Sequence, residues 1–195
     1  MVKKRKTASK LAIKQAFTRL IHEKGFESLT VMEIAREAGI NRGTFYTHYI
    51  DKYDLMEKLE METIEDLKKI LLRPNEGDVN DPLELIPYPL ILEALVYVKK
   101  DFDFVSAIAG PGGDRHFVSR IKGILSELIE SKINQSTSLE FKKENLPEDY
   151  ALEILLSSIV AIILLWIKKG GIESPEDIAT MVHKARQISP YELLI

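Results

Sequence analysis

Apolar residues near the start of the chain recur at helical spacing. Ala12, Ala16, Phe17, Leu20 and Ile21 fall three and four apart, Lys10, Lys14, Arg19 and Lys24 lie off that stripe, and Gly25 sits where a helix ends. A shorter stripe, Ile34, Ala35 and Ala38, follows Thr30 and Glu33, the Thr-x-x-Glu spacing by which a helix N-terminus satisfies two of its own orphan amides. Gly39 and Ile40 then predict a turn and Asn41 an N-cap, with Phe45 and Tyr49 on the inward face of a third helix. Asp51 caps a fourth helix, expected from Lys52 to about Leu72 and stopped by "RPNEG".

Beyond a loop holding Pro82, Pro87 and Pro89, the pattern predicts helices over about 89–100, 102–109, 114–133, 147–169 and 174–187. Ser174 opens the last as N-cap, with Pro175 at the first helical position. No period-two alternation persists, so the expected fold class is all-α. The segment 151–167 is apolar nearly all round, with Leu152, Leu155, Ile159, Ile162 and Trp166 on one side and Ile154, Ala161 and Leu165 on another. A helix apolar on every side must be covered on every side. We expect its own domain to cover one face and a second copy, packed as a four-helix bundle, to cover the other, with Ser157 and Ser158 small enough for close approach. The homodimer interface is expected at Leu155, Ser158, Ile159, Ile162 and Trp166, joined by Ile178, Met181 and Val182 from the last helix. The longest apolar run, residues 154–167, holds two serines and falls short of the roughly 18 to 20 residues a bilayer requires, so no membrane partner is expected.

Charge divides the chain. Residues 1–52 carry eleven Lys or Arg against five Asp or Glu, a net of +6, whereas the remaining residues carry −9 and the whole chain −3. A basic head on an acidic body points to a polyanionic partner for the head. The leading "KKRK" adds either a solubilising tail or an arm for phosphate or minor groove. The chain has no Cys, which removes thiolate metal or redox chemistry and any disulfide framework, and agrees with a cytoplasmic location. "MVKKRKTASK" is not followed by an uninterrupted apolar run and reads as no secretory signal. His22, His48, His116 and His183 show no metal-ligand spacing, and "GPGGDRHF" lacks the Lys-Ser/Thr of a phosphate loop and reads as a connector. No acid, base or nucleophile constellation emerges, so the expectation is a protein that is not an enzyme and uses no cofactor and no metal.

Two short helices joined by a glycine-containing turn have the spacing of a helix-turn-helix, whose second helix enters the major groove. The stretch "LTVMEIAREAGINRGTFYTHYIDKYDLM", extended back through "AFTRLIHEKGF", resembles the DNA-binding domain of the TetR family of bacterial transcriptional regulators over about residues 7–57. The resemblance implies a helix-turn-helix domain over 1–57 and a helical regulatory and dimerisation domain over 58–195. It implies that Asn41 and Arg42 read base edges, and that Thr30, Thr44, Tyr46 and His48 contact phosphates or sugars. It further implies a phosphate-binding role for Lys52, with Gly43 and Thr47 part of the same DNA-binding segment. Met32 stands where some members carry a polar base-reading residue. "YVKKDFDFVSAIAG", "FVSRIKGIL" and "WIKKGGIESPEDIA" resemble a C-terminal domain of firmicutes-type members, over about 85–187. By the same resemblance a small-molecule effector is expected in a pocket that Tyr88, Tyr97, Phe102, Phe104, His116 and Phe117 line. The function so implied is a homodimeric repressor that binds a near-palindromic double-stranded DNA operator and is released by the effector. The competing reading is a helical protein-interaction adaptor or co-activator subunit with weak DNA binding.

Overall fold

The computed structural model describes residues 2–74, 80–114, 116–139 and 146–187, and among these the side chains from Thr7 onward apart from Leu83. The described residues hold nine α-helices and no strand: α1 Val2–Lys24, α2 Val31–Glu37, α3 Arg42–Tyr46, α4 Lys52–Leu71, α5 Tyr88–Lys100, α6 Phe102–Ala109, α7 Phe117–Gln135, α8 Glu148–Lys168 and α9 Pro175–Ala185. A 3-10 turn at Pro82–Leu85 precedes α5. The all-α expectation holds, and the ends of α8 and α9 fall within two residues of those predicted. The KKRK run lies on the first turns of α1; its side chains are outside the described ones.

Two compact units divide the chain. The first combines residues 1–65 with 101–117, the second 66–100 with 118–195. The sequence boundary at 57/58 came from the family pattern, whereas compactness assigns the first two-thirds of α4, all of α6 and the following loop to the first unit.

In the first unit, α1 buries Ile13, Ala16, Phe17, Leu20 and Ile21, the predicted stripe with Ile13 in place of Ala12 at its edge. The helix ends at Gly25, whose φ of +76° is a left-handed conformation that costs glycine little. Helix α6 packs on α1. Lys14 pairs with Asp101 and sits 4.3 Å over the Phe104 ring, while His22 Nε2 lies 2.9 Å from the Asp103 carbonyl. The loop after α6 then closes on the end of α1, where the Phe26 N–H donates to the Gly112 carbonyl at 2.8 Å. A Cβ on Gly112 would stand 3.1 Å from Gly25 Cα, and one on Gly113 only 2.1 Å from the Ile108 carbonyl oxygen. The glycines of "GPGGDRHF" are therefore a close backbone contact, consistent with a connector.

In the second unit α9 packs against both α5 and α8. Trp166 anchors the α8–α9 turn: it is fully buried, its indole N–H donates to the Glu173 carbonyl at 3.0 Å, and Lys99 approaches its ring to 5.9 Å. Ser174 caps α9 with Pro175 in the first turn, as expected, and Asp177 returns the bond to make a reciprocal capping box. Lys122 of α7 ties α8 through Glu153 and Ser157, so Ser157 faces α7 and is not available for close approach of a second copy.

The same unit corrects half of the expected interface. Ile159, Trp166, Ile178 and Val182 are each 1–2% exposed and form the core of the single chain. The face that α8 leaves outward is Ile154, Ser158, Ala161 and Leu165, at spacings of four, three and four, flanked by Leu155 and Ile162. Ile154 and Leu165 are 58% and 57% exposed, and Met181 of α9 is 47% exposed. Helix α8 is long and apolar enough to cross a membrane by length and composition, yet only 22% of its most apolar window is buried within the chain. One chain covers one of its faces.

Candidate nucleic-acid interface

Both short helices of the first unit are held by their caps. The Thr30 hydroxyl accepts from the Glu33 N–H at 3.3 Å, and the Glu33 carboxylate accepts from the Thr30 N–H at 3.0 Å and the Thr30 hydroxyl at 2.8 Å. Lys24 of α1 binds the same carboxylate, and Arg19 binds Glu37 one turn on at 2.9 Å. The Lys24 ammonium, with the Thr30 donors, holds the Glu33 carboxyl down to about 2. These pairs lay the 33/37 edge of α2 along α1 and leave Met32 (60% exposed) and Arg36 on the opposite, outer edge.

Asn41 starts α3 as predicted, its Oδ1 accepting from the Thr44 N–H at 2.7 Å and the Thr44 hydroxyl at 3.1 Å. A Cβ on Gly43 would press to 3.2 Å of that oxygen, so glycine leaves the cap room. Five helical residues bury too little to stand alone. Two rings anchor them: Phe45 is wholly buried and Tyr49 is 4% exposed, their centroids 5.7 Å apart. Burial pushes the Tyr49 phenol up to about 12. Asp51 caps α4 through the Tyr53 and Asp54 N–H groups, both at 2.8 Å.

With Phe45 inward, α3 exposes Arg42, Gly43, Tyr46 and Thr47 as one stripe. The Arg42 Nη2 donates to the Tyr46 hydroxyl at 3.2 Å and its guanidinium carbon lies 5.8 Å from the ring centre. Several of the sequence candidates, Thr47 of the stripe included, are engaged locally. The Thr30 and Thr44 hydroxyls serve their caps, Thr47 donates to the Thr44 carbonyl at 2.7 Å, and His48 is half-buried with its ring 6.1 Å from Tyr49. Lys52 straps the turn after α1, donating to the carbonyls of Phe26 at 3.1 Å and Glu27 at 2.8 Å between the Phe26 and Tyr53 rings. An ammonium has three N–H donors, so one remains beyond those two bonds.

The expected effector residues divide between the units. Tyr88 stands edge-on to His183, and Tyr97 donates to Asp66 at 3.3 Å, both in the second unit. Phe104 and Phe117 are buried in the first unit, where Phe102 is half-buried and His116 is exposed on the loop. Charge is also redistributed: the first unit holds thirteen Lys or Arg and thirteen Asp or Glu, because α4 and α6 bring acidic residues to the basic head.

A tri-helical head of this geometry, with a capped second helix, a glycine turn and a polar outward third helix, has the form of a helix-turn-helix DNA-binding domain. The comparisons place it more narrowly. Residues 13–59 match the model of bacterial regulatory proteins of the tetR family, and residues 87–187 match a transcriptional regulator C-terminal region. The chain belongs to the TetR family. It is 22% identical over its whole length to YxbF of Bacillus subtilis, an uncharacterised helix-turn-helix regulator of which it spans 48%. Its fold is that of a TetR regulator from Streptococcus agalactiae, at 24% identity and a TM-score of 0.63, covering 93% of this chain and 98% of that one. A TetR-family regulator from Syntrophomonas wolfei aligns at 18% identity and a TM-score of 0.67 over 97% and 98%.

Proposed function

We propose that the protein is a homodimeric DNA-binding repressor in the bacterial cytoplasm, and that the α3 stripe of Arg42, Gly43, Tyr46 and Thr47 is its base-reading surface. The observation that carries this is the stripe itself: a helix too short to be stable alone is pinned by two buried rings, and what it then presents outward is an arginine on a tyrosine. Arginine is the side chain whose fork matches guanine O6 and N7, a contact worth ~1–3 kcal/mol of discrimination. Asn41, Thr44, His48 and Lys52 flank the stripe as positioning contacts, with Lys52 giving a phosphate its remaining N–H. Met32 adds an apolar tip suited to a thymine methyl.

Dimerisation completes the proposal. The outward face of α8, Ile154, Ser158, Ala161 and Leu165, with Met181 of α9, is assigned to a second copy. Two copies then place two α3 helices on half-sites about one DNA turn apart, ~34 Å, as a near-palindromic operator requires. Repression needs only that the dimer occupy that operator. Release by a small-molecule effector belongs to the same proposal and draws on family membership; any effector that weakens operator binding must itself bind the operator complex more weakly by the same factor.

The test is selection of bound duplexes from a random pool by the native chain. We expect an enriched inverted repeat, and Arg42→Ala to erase preference at one base pair per half-site. Enrichment without symmetry would remove the dimer, and no enrichment would favour the adaptor reading, which the balanced charge of the first unit supports.

A further inference from the structure

We propose that Tyr46 is a positioning residue for Arg42, holding the guanidinium where base edges are read, so that its hydroxyl contributes sequence discrimination rather than phosphate affinity. The proposal rests on the assignment of α3 as the DNA-facing helix.

The two residues are one helical turn apart, the spacing at which side chains on a helix surface meet. One hydrogen bond joins them, from Nη2 to the hydroxyl at 3.2 Å, and it leaves the guanidinium carbon 5.8 Å from the ring centre, at the outer reach of a cation–π approach. The hydrogen bond tethers the guanidinium tip to the tyrosine oxygen and so restrains its position. Tyr46 is itself fixed, because its ring meets Phe45 edge-on at 5.7 Å and 89°, and Phe45 has no exposed surface. Rigidity therefore passes from the core through Phe45 and Tyr46 to the tip of Arg42.

An exposed arginine loses rotamer freedom when it docks, and any freedom lost in the unbound protein is not lost again on binding. The donor count permits both roles. A guanidinium has five N–H groups; one on Tyr46 leaves four, and a fork to guanine takes two. The tyrosine oxygen, accepting from Arg42, keeps its own O–H. Tyr46 is half-exposed, so neither the hydroxyl nor the arginine is needed to fill the core. The other tyrosines of this region are placed otherwise: Tyr49 is buried and Tyr53 packs on Phe26 at 5.3 Å.

Tyr46→Phe isolates the claim, since it keeps the ring and its contact with Phe45 and removes only the hydroxyl. The probes are the duplex most enriched from a random pool by the native chain, the same duplex with each base pair replaced in turn, and a scrambled duplex of equal length. We expect Tyr46→Phe to lower discrimination about three- to tenfold, at the same base pair whose preference Arg42→Ala erases. Affinity for the scrambled duplex and the salt slope should stay unchanged. In the Arg42→Ala background, Tyr46→Phe should then change nothing, a non-additive double-mutant cycle. Circular dichroism matching the native chain shows that neither variant acts through folding. A uniform loss on every duplex, additive with Arg42→Ala, would make Tyr46 a direct phosphate contact and overturn the proposal, as would a Tyr46→Phe protein indistinguishable from native. A native chain that enriches no duplex overturns the DNA-binding reading and this proposal with it, a result distinct from selective binding with an additive cycle.

Discussion

Helix α3 and helix α8 each leave one face outward, and they do so for opposite reasons. The five residues of α3 depend on caps and on two buried rings for their existence, and the surface they expose is polar, cationic and hydrogen-bonded to itself. Helix α8 runs for twenty-one residues and is apolar nearly all round from 151 to 167, and over that stretch the stripe it exposes, from Ile154 to Leu165, is largely aliphatic. A polar stripe on an over-anchored short helix suits a hydrated, charged partner read by hydrogen bonds. An aliphatic stripe on a long helix suits a second hydrophobic surface, since exposed apolar area is what association removes from water.

The sharpest way to break the comparison is at α8. Ile154→Asp together with Leu165→Asp should give a folded monomer by sedimentation and lower affinity for the enriched inverted repeat by about 10² to 10⁴, the loss of a second linked site. The single half-site affinity should hold. A double variant that remained dimeric would move the interface elsewhere and leave the outward face of α8 unexplained.

The next effect belongs to the anchor of α3. Phe45→Ala should destabilise the first unit by about 3–5 kcal/mol, read by urea denaturation, and abolish specific binding while the chain still sediments as a dimer. Loss of the dimer as well would mean that the two faces are not independent.

The smallest effect sharpens the role of the caps. Thr30→Ala should cost about 1 kcal/mol. It should also change the response to acid. Because Glu33 titrates at about 2 in the folded chain and near 4.5 otherwise, it contributes stability that is fully present above pH 4.5 and lost as pH falls toward 2. Removing the Thr30 hydroxyl raises the folded value and narrows that window, which denaturation midpoints between pH 2 and 5 would record. An unchanged acid profile would show that Lys24 and the position-30 backbone N–H set Glu33 without the hydroxyl.

Much of this was legible from residues alone. The Thr30–Glu33 box, the Ser174, Asn41 and Asp51 caps, Gly25 at the end of α1 and the inward Phe45 and Tyr49 all stand where spacing placed them. Helix α7 starts three residues later than expected, at Phe117, because Asp114 and the glycine loop are spent on a turn whose Asp114 N–H reaches the Ile108 carbonyl. Two matters were not legible. The docking of α6 and its loop on α1 joins residues 81 to 87 positions apart, as in Lys14–Asp101 and His22–Asp103, and no local pattern encodes such a pairing. The Thr44 hydroxyl, held by the Asn41 Oδ1, was missed for the converse reason: a family pattern marks a position as facing DNA and says nothing of the bond it makes in its absence.

The amino-acid order alone determined which stretches are helical and where the capped ends fall, because caps, turns and periodicity act over one to two turns of chain. It could not choose between the two apolar faces of α8. Both are greasy enough to be core, and a helical wheel is blind to which neighbour arrives. Only the packing of α9 and α7 decided that Ile159 and Trp166 turn inward and that Ile154 and Leu165 are left in water. Burial is a property of the assembled chain, and the physical cost of exposing one aliphatic stripe rather than the other is settled by what the rest of the molecule covers first.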